Sequence, residues 1–301
     1  MKHEERQRGG CVSVLRRVAM VVVVGCAMGV TADAQAAPAV DVSPPNPRQG
    51  DPVLVTVRGS KADVPAGSAL GKDLMFFPTA RGWQALFAVP LEGAPGPIEI
   101  VIKDPDVTTT VDVRERPVSE EDVQVDPAYV DLSPEKARQV EDDNRAVVRA
   151  LKSDGAPQFT TGFGRPAAGK ATSGFGGWRT FNGSQRSRHL GLDLAAKTGA
   201  PVKAINAGTV ALVADTFLMG KVIVIDHGGG IGSTYFHLSD TAVAQGDVVK
   251  KSQRLGAVGD AGRTSGPHLH LAVWVRDAFV DPATFAQLPL QGAKLGRKAK
   301  R

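Results

Sequence analysis

The sequence is short of cysteine: 301 residues carry two, Cys11 and Cys26, both near the N-terminus. A chain processed after them has no thiol, which excludes structural disulfides, thiolate zinc sites and a cysteine nucleophile. Any metal in the folded protein must be held by histidine and carboxylate. Histidines are also few, six in all, and aromatic residues make up only 5%. No apolar run reaches the roughly 20 residues that a membrane-spanning helix needs, so no transmembrane helix is expected in the mature chain.

What is present first is a leader. Lys2, Arg6, Arg8, Arg16 and Arg17 precede the apolar run VAMVVVVGCAMGV (18–30), and small residues follow in ADAQA. Residues 1–36 are expected to be a signal peptide, cut after Ala34 or Ala36. The competing reading is a lipobox at Val23-Val24-Gly25-Cys26, which would anchor a lipoprotein through Cys26. Either way the protein is expected to be exported, to the periplasm or cell envelope, where no nucleic-acid partner is expected. The formal net charge of +5 is concentrated in the last residues, KLGRKAKR, with Lys294, Arg297, Lys298, Lys300 and Arg301. This basic tail (286–301) could meet an anionic envelope polymer or membrane surface; a merely solvated tail is the simpler reading.

Glycine (34) and proline (20) are plentiful, which favours short strands and many turns. Residues 38–115 read as a β-sandwich, with VLVTVRG, DLMFFPT, ALFAVPL, PIEIVIKD and TTTVDVRE as strands; they contain no histidine and no catalytic-looking carboxylate cluster. Residues 116–157 read as a linker, acidic at first, with a helix near 133–152. Ser133 can cap that helix, Pro134 suits its first position, and Ala137, Val140, Val147, Val148 and Leu151 recur at helical spacing. From 158 to 285 the texture is β again, and five of the six histidines fall there. The fold class expected is mainly β: an N-terminal β-sandwich, a helical connector and a C-terminal antiparallel β domain.

Two short motifs carry the chemistry. In GPHLHLAV (266–273) a strand would point His268 and His270 to one face and Leu269 and Leu271 to the other. In HLGLD (189–193) four residues separate His189 from Asp193, which puts them on one face in a strand or a helix. A buried carboxylate between leucines is costly unless compensated, and a metal ion would compensate it. His189, Asp193 and one histidine of the 268/270 pair make a two-histidine, one-carboxylate set with a position left open, the pattern of catalytic rather than structural zinc. An ordinary His–Asp hydrogen bond and a packed histidine pair are the bland alternatives. His227, at the end of VIVID and before three glycines, reads as structural.

In order along the chain, SGFGGWR, HLGLD, APVKAINAGTV, VIVIDHGGG, STYFHLS, GDVVKKSQRLGAVGDAGRTSGPHLHLAV and VDP resemble the lysostaphin/LytM-type peptidoglycan metalloendopeptidases, over roughly 159–282. The upstream segment more loosely resembles the immunoglobulin-like domain that accompanies some of them. The resemblance implies a C-terminal domain of the LytM, duplicated-hybrid-motif type holding one Zn2+ through His189, Asp193 and His270, with His237 and His268 catalytic. It implies hydrolysis of peptidoglycan peptides, stems or cross-links, by zinc-activated water assisted by the two histidines. Ser252 and Lys221 depart from the family's frequent residues, in loops only. Two other classes compete. One is a non-catalytic wall-binding protein or activator of other wall hydrolases, which the intact five-residue set argues against. The other is a biotinyl- or lipoyl-type carrier or a sugar-phosphotransfer protein, suggested by NAGTVALV with GDVVKKSQRLGAVG, both of which the leader and the His189/Asp193 pair argue against.

Overall fold

The computed structural model describes residues 38–152, 155–160 and 162–292. The leader with both cysteines, and the basic residues from Lys294 onward, lie outside the described residues. Among the described residues no helix is long and apolar enough to cross a membrane.

The N-terminal region is built from two four-stranded sheets. One runs in the order Ala39–Ser43, Pro52–Arg58, Gly82–Ala88, Phe77–Thr79; the other Lys72–Asp73, Gly67–Ala69, Gly96–Lys103, Asp106–Val113. The stretch DLMFFPT, expected as one strand, is divided between them. Lys72–Asp73 pairs with one sheet and Phe77–Thr79 with the other, so Leu74 to Phe76 make the crossing. Facing side chains Val53, Val55, Val57, Ile100, Ile102, Val111 and Val113 fill the space between the sheets.

Strands Pro52–Arg58 and Gly82–Ala88 are buried on both faces. Their alternation explains how: Val53, Val55 and Val57 point into the sandwich, while Leu54, Leu86 and Ala88, with Phe77, join the core of the C-terminal region. A buried ion cluster reinforces the join. Arg116 donates from Nη2 to Asp51 Oδ1 at 2.5 Å and from Nη1 to Asp281 Oδ2 at 3.0 Å, and from Nε to the Gln49 carbonyl at 2.6 Å. A guanidinium removed from water is tolerable only because its donors are matched in this way.

Between the two regions, helix Pro134–Leu151 starts at Ser133, whose hydroxyl accepts from the Lys136 amide, and buries Val147 and Leu151 against Val222, Val224 and Trp274. The acidic stretch before it contains a strand that the sequence does not announce. Glu120–Val123 pairs in parallel with Trp178–Phe181, which forms a hairpin with Gln185–Arg188.

The C-terminal region is a ten-stranded sheet, antiparallel in every pairing. Its main path is Ala171–Ser173, Leu192–Ala195, His268–Val275, Ile231–Thr241, Gly220–Gly228, Gly208–Thr216, Val248–Val249. The histidine strand is therefore central, with a neighbour on each side.

Candidate metal centre and active site

The His268–Val275 strand shows the period-two alternation its sequence requires. Leu269 and Leu271 are buried in the core, while His268 and His270 face away from it. Ladder register brings the carboxylate to the histidine: Asp193 is the direct partner of His270 across the sheet, and Phe236 is its partner on the other side. His189 precedes the Leu192–Ala195 strand and is fixed by its backbone, its amide donating to the Gly177 carbonyl at 2.8 Å.

Three donor atoms converge. His189 Nε2 lies 3.1 Å from Asp193 Oδ1 and 3.0 Å from His270 Nδ1, and His270 Nδ1 lies 2.8 Å from the same oxygen. These separations approach the edge of about 3.3 Å in a tetrahedron with metal–ligand bonds of ~2 Å. His189 Nδ1 lies 2.6 Å from the Gly174 carbonyl, which can only accept, so the ring proton sits on Nδ1 and Nε2 presents a lone pair to the cluster. A bare ring nitrogen, a carboxylate oxygen and a second ring nitrogen packed this closely, all buried, fit a cation.

The second carboxylate oxygen is used elsewhere. Arg179 donates from Nη2 to Asp193 Oδ2 at 2.5 Å and from Nε to Glu121 Oε2 at 3.1 Å, and Glu121 Oε1 accepts from Ser173 Oγ at 2.7 Å. Neither Arg179 nor Glu121 was signalled by the sequence, because each becomes relevant only through the unannounced Glu120–Val123 pairing. His270 is held in the same fashion by packing. Its ring stacks on Phe236 at 5.0 Å and 8°, and a Cβ at Gly191 would come within 2.5 Å of it, so only glycine fits there.

His237 reaches the site through an irregular backbone. It follows Phe236 directly, and two consecutive residues of a regular strand would face opposite ways. The register shifts here, and His237 adopts φ = 60°, rare for a residue other than glycine, which turns its ring to the Phe236 side. Its ring centre lies 4.8 Å from that of His268 and 6.3 Å from that of His270. His237 Nδ1 lies 2.7 Å from the Ala261 carbonyl and His268 Nδ1 lies 2.9 Å from the Gly266 carbonyl, so in the neutral form of each ring Nε2 is bare. His268 Nε2 is 3.7 Å from Asp193 Oδ1. Burial, and the neighbouring His268, push the His237 ring down to about 3.

The five residues His189, Asp193, His237, His268 and His270 are thus brought together. His227 is not among them. It is fully buried, bonded at Nδ1 to the Ala207 carbonyl at 2.7 Å and facing the Ser233 hydroxyl from Nε2 at 2.8 Å.

Two grooves flank the cluster. One, about 380 Å³, is walled by Val147 and Val148 of the helix and by His189, Phe236 and His270; the other, about 390 Å³, by Glu121, Ser173, Asp193 and His268. Arg179, Phe181, His237 and Arg263 line both. A larger cleft of about 670 Å³, near Leu70 and Asp277, includes none of these histidines.

Residues 187–282 match the sequence profile of Peptidase family M23. The crystal structure of a putative peptidase M23 from Pseudomonas aeruginosa superimposes with a TM-score of 0.62 at 30% identity, covering 80% of this chain and 95% of that one. The peptidoglycan DD-endopeptidase ShyB of Vibrio cholerae is 39% identical over 102 residues, which is 34% of this chain and 24% of ShyB. The DD-carboxypeptidase/endopeptidase Mpg of Neisseria meningitidis is 36% identical over 98 residues, 33% of this chain and 23% of Mpg. The chain belongs to peptidase family M23. It spans about a quarter of the length of the curated relatives it matches.

Proposed function

We propose that this protein is an exported zinc-dependent endopeptidase that hydrolyses peptide stems or cross-links of bacterial peptidoglycan. The observation that carries the reading is the convergence of His189 Nε2, Asp193 Oδ1 and His270 Nδ1 within 2.8 to 3.1 Å, beside two more histidines with bare Nε2 atoms. The relatives named DD-endopeptidase and DD-carboxypeptidase/endopeptidase support the substrate class.

His189, Asp193 and His270 hold the ion. Zinc bound there supplies a Lewis acid that lowers the pKa of a water toward ~7 and polarises the scissile carbonyl. Arg179 holds Asp193 by Oδ2, which keeps Oδ1 directed at the two histidines. His237 and His268, each tethered at Nδ1, can take up the water's proton on Nε2. The ring that has gained it can return it to the leaving amine or donate a hydrogen bond to the developing oxyanion. The net reaction forms one carbonyl carbon–oxygen bond, breaks the carbon–nitrogen bond and leaves a carboxylic acid and an amine.

Zymography of the purified protein on peptidoglycan tests the reading. Clearing that disappears with a chelator and returns with added zinc is expected; absence of clearing in the zinc-loaded protein contradicts it.

A further inference from the structure

Three arginines line the grooves beside the site, and two have anionic partners. Arg179 is paired with Asp193 and Glu121, and Arg188 with Glu92. Arg263 is different. Among the described residues it has no carboxylate partner; its guanidinium lies 3.9 Å over the Phe181 ring and donates from Nη1 to the Gln185 side-chain carbonyl. It is half-buried, it lines the grooves on both sides of the metal cluster, and the charged group that acts on it is another cation, Arg179. Burial and Arg179 together push it down to about 10. A cation with five donors in a fixed fork, desolvated and unneutralised, is completed by an anion that enters the groove.

The backbone fixes Arg263 relative to the chemistry. Its amide donates to the Leu218 carbonyl at 2.8 Å, and Ala261, two residues before, accepts from His237 Nδ1 at 2.7 Å. Between them Gly262 adopts φ = 86°, where a Cβ would meet the Leu218 carbonyl at 2.5 Å. One short, tightly held turn therefore orients the His237 ring and carries the unpaired guanidinium.

We propose that Arg263 is a specificity-determining residue that binds a free carboxylate of the substrate beside the scissile amide. This selects bonds whose leaving amine sits on a carbon that also bears a carboxylate. A cross-link or stem terminus joining two D-amino acids has that chemistry. A glycine bridge does not, since its neighbouring carbonyl is tied up in the next amide. The inference rests on the proposed peptidoglycan-peptidase reading of the site, and it names which of that reading's substrates the groove takes.

The test is a calorimetric titration of the zinc-loaded protein with N-acetyl-D-alanyl-D-alanine and with its C-terminal amide. Wild type binds the carboxylate at least ~10-fold more tightly than the amide, as a charge-assisted fork–carboxylate contact requires. Arg263→Gln loses the preference, and Arg263→Lys, which keeps the charge without the fork, retains only part of it. Zinc content and melting temperature of both variants verify that fold and metal are intact. Equal binding of the two probes by wild type overturns the proposal. So does a preference that survives in Arg263→Gln, which would place the carboxylate on the metal. Hydrolysis of D,D-cross-linked muropeptide dimers is read separately. Preference without cleavage keeps the carboxylate site and refutes the peptidase reading; cleavage without preference does the reverse.

Discussion

The N-terminal sheet pair and the C-terminal sheet are made of the same antiparallel ladders around apolar cores, yet the space between the N-terminal sheets is filled by aliphatic residues while the C-terminal region buries a cluster of histidines beside its core. Between the two N-terminal sheets lie Val53, Val55, Val57, Ile100, Ile102, Val111 and Val113, each at most 3% exposed and none able to hydrogen-bond through its side chain. The C-terminal region buries His189, Asp193, His227, His237 and His270, along with Asn206, Ser233 and Thr234. Burying polar groups costs free energy unless each is matched, and the cost grows for a carboxylate. The sandwich contributes stability by area alone; the C-terminal sheet gives up some of that gain to hold lone pairs in fixed directions.

The largest way to break the contrast is Asp193→Ala. It removes one donor and the acceptor of Arg179, and both bound zinc and hydrolysis are expected to fall to background, read by atomic absorption and by muropeptide release. In the other region, Ile100→Ala is expected to lower unfolding free energy by about 2–5 kcal/mol, as a buried large-to-small change does. It leaves zinc per folded molecule unchanged, measured by denaturant titration and metal analysis.

His227 sharpens the comparison through pH. Burial pushes its ring down to about 4 from the ordinary 6.5, outweighing its bond to Ala207 and the nearby Asp226. The unfolded chain therefore binds a proton below about pH 6.5 that the folded chain refuses until about pH 4. This contribution to stability is full above 6.5 and falls with pH by about 1.4 kcal/mol per unit across that window. Denaturant midpoints measured from pH 7 to 4 are expected to flatten in His227→Gln. The smallest effect is expected for Glu121→Gln. Weakening the partner of Arg179 should loosen zinc binding by about 10-fold, measured by competition with a chromophoric chelator.

The HLH alternation was legible because a strand has period two, and the pairing of Asp193 with His270 sharpens what the sequence left as one histidine of two. His237 could be found in the sequence only through family resemblance. Its ring reaches the site by a left-handed residue at a register shift, and no periodicity encodes that. Arg179, Glu121 and Arg263 were missed for a related reason. Glu121 and Arg179 are 58 residues apart and meet because EEDV, a charged segment without alternation, pairs as a strand. The helix at 134–151 announced itself by its cap and spacing. The shared core did not, because Leu54 and Val55 look alike in a sequence and differ only in which sheet face they serve.

The central claim is a division of labour: His189, Asp193 and His270 hold the ion while His237 and His268 handle the proton. Zinc content of purified His268→Ala, measured beside its activity, tests it most directly. The account predicts about one zinc per molecule with hydrolysis reduced ~100- to 10,000-fold, the usual worth of a general acid–base group. Loss of the metal in that variant, or full activity without the ring, would contradict it.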